Sequence, residues 1–354
     1  NRLKFLVRAI GFEAFRAAVE DELARVRREG APRLPFDAQR PSEEAPPRHA
    51  PRAVPPAPAL LARRVRDQST RGPGEPPPLS GGAPPAPGAL EAFVRTNVRP
   101  QRQRGYSVVT ASLPQGDVRA AQLDALAELA TACGDGTVRF ASRGHALLRW
   151  IPDAEVPALF ERLAAAGLGR DGTGSAADVV ACPGAEACRQ AVTRTRELAR
   201  LVEDRVRARL GARGTEAPLD VHVSGCPNGC SRHHLAGIGL QGSARKVGGR
   251  SVPQFFVLVG GGVAADGARF GALAAKVPAR RVPEAVERLA ALWLDERAPG
   301  EGAPEFFARA RDRVRAVLAP LEELRLEDAR AEDFVEPGQH EEFRPAVQDG
   351  ECAA

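Results

Sequence analysis

The sequence predicts an α+β protein: a small layer of helices on an antiparallel sheet, followed by a unit in which buried strands alternate with longer helices. Three observations predict it. Period-two runs such as Tyr106-Ser-Val-Val-Thr-Ala-Ser-Leu113 are interleaved with segments of helical period. Asp178-Val-Val-Ala181 and Val221–Val223 read as buried strands, and each runs straight into a cysteine segment. Of the 354 residues 43% are apolar, enough to build two compact cores.

Residues 1–30 read as helix. Leu3, Leu6, Val7 and Ile10 recur at helical spacing, Gly11 interrupts, and Phe15, Val19, Leu23 and Val26 resume the stripe until Gly30. A helix apolar on one face needs a partner, and the expected one lies upstream. The chain opens at Asn1-Arg2-Leu3-Lys4 inside this stripe and contains no Met, so it reads as a fragment. Residues 31–94 read as a linker. Positions 31–90 hold 16 of the 31 prolines, too many for helices or central strands.

Residues 95–170 follow a β-α-β-β-α order that suits a ferredoxin-like half-domain. Its elements are the Tyr106–Leu113 strand, a helix capped by Asp117 and closed by Gly134, a hairpin of Val138–Ala141 and Ala146–Ile151 around Arg143-Gly144-His145, and a helix near 154–166 ending at Gly167. Residues 171–300 form the α/β unit. After the Cys182 segment a long helix carrying Ala191, Val192, Leu198, Leu201, Val202 and Val206 is expected to run to Leu210. Strands at Ile238–Leu240 and Phe255–Gly260 and a helix at Pro283–Leu294 follow. Residues 301–354 supply a last helix over Pro304–Leu324 and then a loose acidic tail.

The net charge of +5 is a mild basic bias, short of a nucleic-acid-binding composition; it suits an acidic protein partner or a small anionic substrate. No stretch approaches a membrane span, and nothing points outside the cytoplasm. Gly260-Gly-Gly262 lacks the spacing of a nucleotide loop.

Four of the six cysteines fall into two tight pairs, Cys182-Pro-Gly-Ala-Glu-Ala-Cys188 and Cys226-Pro-Asn-Gly-Cys230, with 37 residues between them. Each pair sits where a strand ends and a turn begins, and Gly184, Gly225 and Gly229 leave room for backbone beside a bulky inorganic core. Four soft thiolates select iron–sulfur clusters or zinc. The five-residue gap in the first pair is wide for a zinc knuckle, while zinc and disulfide readings stay open on spacing alone. Cys133, late in a helix, reads as a core residue, and Cys352 has no physical account.

Cys-x5-Cys followed by Ser224-Gly-Cys-Pro-Asn-Gly-Cys230 and Ser231-Arg-His-His-Leu-Ala-Gly-Ile-Gly-Leu240 resembles the signature of siroheme-dependent nitrite and sulfite reductases. The opening helix resembles the one that closes that family's first half, the missing N-terminal siroheme domain. Phe255–Val259 with Gly260-Gly-Gly262, Arg269-Phe-Gly and Lys276-Val-Pro-Ala-Arg-Arg-Val-Pro283 resemble its later part. The resemblance implies that Cys182, Cys188, Cys226 and Cys230 hold a 4Fe-4S cluster and that Cys230 also ligates the siroheme iron, as the catalytic cysteine. It implies six-electron reduction of sulfite or nitrite, ferredoxin as the electron donor, and a fragment that is not a competent reductase alone.

The resemblance departs at the hairpin tip, where Gly144-His145 stands in place of the family's Gln-Asn. Arg143 is expected to replace the lost amide at a siroheme carboxylate, with His145 beside it. Asn228, between the last two cysteines, is expected to touch the cofactor; His233 and His234 read as structural, with hydrogen bonds to cluster sulfur or siroheme carboxylates as the alternative. Two other readings remain beside the reductase: a precorrin-3B synthase-like monooxygenase with the same cluster motif, and a non-enzymatic iron–sulfur or zinc module.

Overall fold

The computed structural model describes residues 3–30, 86–264 and 267–345, in two compact units. The first holds α1 (Leu3–Ile10) and α2 (Phe12–Glu29), broken at Gly11, whose φ of 83° favours glycine. No residue of α2 is buried, and Leu6, Ile10, Val19 and Leu23 of the expected stripe are exposed, as is Phe12. The Pro-rich linker lies outside the described residues except for its last part, 86–94. There the expected boundary fails, because α3 (Ala89–Asn97) is already helical and buries Phe93 completely.

In the second unit α3 leads into β1 (Val98–Pro100), β2 (Tyr106–Ala111), α4 (Ala120–Cys133), β3 (Val138–Phe140), β4 (Ala146–Pro152) and α5 (Val156–Ala165). The four strands form an antiparallel sheet in the order β1-β2-β4-β3. Its core packs Val109, Leu126, Leu129, Leu148, Phe160 and Leu163, with Cys133 among them as expected. This is the ferredoxin-like half-domain of the sequence reading. Asp117 is not the α4 cap; Arg119 holds that position and Asp117 pairs with Arg196.

A five-stranded sheet follows, in the order β11-β8-β7-β6-β5. Its strands are β5 (Val179–Ala181), β6 (Val221–Ser224), β7 (Ile238–Val247), β8 (Arg250–Val259) and β11 (Ala272–Pro278). The β5-β6-β7 pairs are parallel, and β7-β8 and β8-β11 antiparallel. A ribbon of β9 (Gly262–Ala264) and β10 (Gly267–Arg269) branches off. The helices are α6 (Gly184–Ala187), α7 (Arg196–Leu210), α8 (Ala212–Glu216), α9 (Val282–Glu296), α10 (Ala303–Arg309) and α11 (Arg311–Glu322). One core cluster joins alternate strand residues (Val221, Val223, Ile238, Leu240, Phe255, Val257) to Val202 of α7, Leu289 and Trp293 of α9 and Leu318 of α11. The helices therefore cover one face of the sheet.

Two expected elements differ. The long helix begins at Arg196, leaving Ala191 and Val192 in a loop. As far as residue 345 the tail is not loose: Phe334 and Phe343 are buried, and Phe334 packs with Val252 and Leu324 under the Arg250 guanidinium. Cys352 lies outside the described residues.

Candidate functional site

Both cysteine pairs grow from the C-terminal ends of neighbouring parallel strands, where side chains of different loops converge. β5 delivers Cys182 and β6 delivers Cys226, and the Cys182 N–H still continues the ladder by donating to the Val223 carbonyl at 3.0 Å. Cys182 and Cys226 are buried, Cys188 is half-buried, and Cys230 is exposed. None is in a disulfide.

The two loops are stitched together by backbone. The Val192 and Thr193 N–H groups both donate to the Gly225 carbonyl, at 2.8 and 3.1 Å, and Thr193 in turn accepts from the Ala185 N–H at 3.0 Å. The Thr195 hydroxyl donates to the Cys182 carbonyl at 2.6 Å. Glu186, between the first two cysteines, accepts from the Thr195 and Arg196 N–H groups and so holds the start of α7 against the first loop. A Cβ on Gly225 would lie 2.5 Å from the Thr193 carbonyl oxygen and 3.3 Å from Gly184 Cα, so the loops approach at a distance only glycine permits. Asn228 closes the second loop onto the first by donating Nδ2–H to Gln190 Oε1 at 3.2 Å.

The donor set fits a cluster. The Gly225 N–H donates to Cys182 Sγ at 3.3 Å, an arrangement that favours an anionic sulfur. Among the described residues no three His, Cys, Asp or Glu side chains close round a single metal ion.

Beside the second loop the uncovered face of the sheet turns polar. By register His222, Gly239 and Gln241 share a side with Ser224. The segment after Cys230 folds over them. Ser231 and Ser224 share a hydroxyl hydrogen bond at 2.6 Å, His233 Nε2 meets Gln241 Oε1 at 3.2 Å, and a Cβ on Gly239 would lie 1.9 Å from the His233 carbonyl oxygen. Nδ1 of His222 and Nδ1 of His233, both buried, have no hydrogen-bond partner among the described residues. Burial, then the neighbouring His234, push the His233 imidazolium down to about 4; burial and Arg143 push His222 down as well. Buried neutral imidazoles with an unpartnered nitrogen are what a polar group docking on this face would need.

In this structure Arg143 and His145 face protein partners. All three guanidinium nitrogens of Arg143 are engaged, with Asp178, Asp220 and His222, and both ring nitrogens of His145 are engaged, with Asp178 and the Leu113 N–H. Their carboxylate partners lie 33 to 77 residues away in sequence, beyond any local pattern. Sequence reasoning also missed Asp178, Asp220, Glu186 and His222. The one available signal was that each of the two aspartates immediately precedes a strand leading to a cysteine.

Residues 99–166 match the nitrite/sulfite reductase ferredoxin-like half domain, and residues 174–319 match the nitrite and sulphite reductase 4Fe-4S domain. The chain is 30% identical over 169 residues to a ferredoxin–nitrite reductase of Synechococcus elongatus, covering 48% of this chain and 32% of the relative. It is 30% identical over 213 residues to sulfite reductase (ferredoxin) 2 of Mycolicibacterium paratuberculosis, covering 59% of this chain and 38% of the relative. The solved structure of the Mycobacterium tuberculosis NirA protein superposes with a TM-score of 0.58 at 25% identity, covering 89% of this chain and 48% of that one. The chain spans about a third of the length of the curated relatives it matches.

Proposed function

The chain belongs to the nitrite and sulfite reductase family, and we propose that it is the cluster-bearing part of a siroheme enzyme that reduces sulfite to sulfide or nitrite to ammonia. Cys182, Cys188, Cys226 and Cys230 would hold a 4Fe-4S cluster, and Cys230 would share its sulfur with the siroheme iron. When bound, the paired cofactors supply six electrons to one small anion.

What the chain itself contributes is positional. The β5 and β6 ends present buried Cys182 and Cys226, and the Gly225 carbonyl, accepting from two N–H groups of the first loop, fixes the spacing of the loops. Exposed Cys230 stands at the rim, next to the polar face carrying His222, His233 and Gln241, where a macrocycle would find hydrogen-bonding groups. The observation that carries the reading is the stitching of the two cysteine loops into one cradle from positions about forty residues apart. Ferredoxin is the donor the reading implies, and a net charge of +5 complements an acidic carrier.

The test is anaerobic purification with siroheme and iron supplied, followed by iron and acid-labile sulfide analysis and an absorption spectrum. Iron and sulfide in cluster proportion with siroheme bands are expected. Cys230→Ser should uncouple the siroheme spectrum from the cluster. Cluster absorption without siroheme would replace the reading by the precorrin-3B synthase-like one, and zinc without sulfide would end both.

A further inference from the structure

The hairpin tip of the ferredoxin-like half-domain touches the cysteine-bearing unit at three points. Arg143 makes an ion pair with Asp178 through Nη2 at 3.2 Å, donates to the Asp178 carbonyl at 2.9 Å, and pairs with Asp220 through Nη1. His145 Nδ1 accepts from the Leu113 N–H at 3.1 Å, which leaves Nε2–H to donate to the Asp178 carboxylate at 3.0 Å. Arg232, two residues past the last cysteine, donates to the Ser142 carbonyl at 2.8 Å.

The placement of the two aspartates carries the inference. Asp178 immediately precedes β5, which leads to Cys182, and Asp220 immediately precedes β6, which leads to Cys226. These strands are paired over three residues, Val179↔Val221, Val180↔His222 and Ala181↔Val223, and the Cys182 N–H adds one more ladder bond to the Val223 carbonyl. A one-residue slip would turn the apolar side chains to the wrong face and is excluded by burial. A two-residue slip would keep the faces and displace one cysteine along its strand by about 6.6 Å, at about 3.3 Å per residue. The hydrophobic pattern does not forbid that slip. A guanidinium holding both carboxylates does, because a rigid planar fork cannot follow partners that move apart by two residues.

We propose that Arg143 is a positioning residue for the cluster: by gripping the aspartates that open both cysteine-bearing strands it sets the register of β5 against β6, and so places Cys182 relative to Cys226. This rests on the reading of the four cysteines as cluster ligands. Asp178 is the fixed half of the grip, held also by His145 and by the Gly174 N–H at 2.7 Å, whereas Asp220 is half-exposed and held by Arg143.

The test compares wild type, Arg143→Ala, Arg143→Lys and Asp220→Asn in the full-length protein. Each is reconstituted anaerobically and followed by iron and sulfide content, the EPR signal of the reduced cluster, iron loss to a chelator, and a circular-dichroism melt without iron. Arg143→Ala should lose iron roughly tenfold faster and give a broadened EPR signal, on the scale of other groups that orient metal ligands. A lysine ammonium would grip one carboxylate and not two, so Arg143→Lys should fall between Ala and wild type. If Arg143→Ala does not fold, Asp220→Asn decides, because it leaves the buried Asp178 grip intact. Folded variants that retain iron and show the wild-type EPR signal overturn the proposal, even with a lowered melt, because a merely structural contact would move the melt alone. A wild-type protein that takes up no iron–sulfur cluster overturns the function reading instead, so the two failures are distinct.

Discussion

The two faces of the five-stranded sheet are built to opposite rules. On one, Val221, Val223, Ile238, Leu240, Phe255 and Val257 are at most 1% exposed and pack on α7, α9 and α11. On the other, His222 meets Arg143 of the distant hairpin, Ser224 and Gln241 meet the segment just after Cys230, and His222 Nδ1, His233 Nδ1 and Gln254 Oε1 are buried without partners among the described residues. The first face carries apolar area in quantity and resists unfolding. The second leaves polar groups unsatisfied beside the cysteine loops, a cost a structural protein would avoid and a cofactor site uses. Stability and chemistry thus occupy opposite sides of the same strands.

The largest expected effect is on the apolar face. Phe255→Ala removes a ring that is 1% exposed at the centre of the core, and should cost about 3–5 kcal/mol in denaturant unfolding. Gln241→Ala, on the other face, should cost less than about 1.5 kcal/mol, the size of one hydrogen bond to His233. Equal costs for the two would break the division of labour between the faces.

The second effect lies at the grip where polar groups are fully partnered. Burial alone would raise the Asp178 carboxyl; His145, Arg143 and the Gly174 N–H outweigh it and hold it at about 2, against an ordinary 3.8. A depressed folded value means stability that is present above about pH 4 and lost as pH falls through 2. The difference corresponds to about 2 kcal/mol at 1.36 kcal/mol per pH unit. Asp178→Asn should therefore be destabilised by about that much at pH 7, and the gap from wild type should narrow in unfolding curves taken at pH 3. A gap that does not change with pH would show that the Asp178 charge is not what binds Arg143 and His145.

The apolar face was legible in the sequence and the polar face was not, for a physical reason. Alternation of Val, Ile and Leu reports burial directly, so β5, β6, the start of β7 and the end of β8 were placed from pattern. The half-domain followed from the same signal. The loop 189–195 was misread as helix because Ala191 and Val192 continue the apolar period. What unwinds it is the Gly225 carbonyl, which accepts from Val192 and Thr193 and is supplied from more than thirty residues away. The partners of the tip at Arg143 and His145, Asp178 and Asp220, were not legible because they are likewise remote. The four cysteines were visible because their spacing is local. The tail was misread because acidic composition hid two anchors, Phe334 and Phe343.

The smallest expected effect tests that tail, and it runs opposite to Asp178. Glu336 accepts from the Arg194 N–H at 2.6 Å, so the tail is latched to the loop joining the cysteine pairs. Its side chain is 11% exposed, and the Arg194 guanidinium stands off at 3.8 Å. Burial, only partly offset by Arg194 and reinforced by Glu186, raises the Glu336 carboxyl to about 6. A folded value above the ordinary 4.5 means that the protonated acid suits the fold; its contribution is full below pH 4.5 and is lost as pH rises through 6. At pH 8 the ionised group costs about 1–2 kcal/mol relative to a neutral one. Glu336→Gln keeps an oxygen to accept the Arg194 N–H and removes the charge. The variant should be more stable than wild type by about 1–2 kcal/mol at pH 8 and indistinguishable from it at pH 4. A Gln variant that is less stable at pH 8 would mean that the Arg194 ion pair outweighs desolvation, and that the tail is held by charge in the same way as the Asp178 grip.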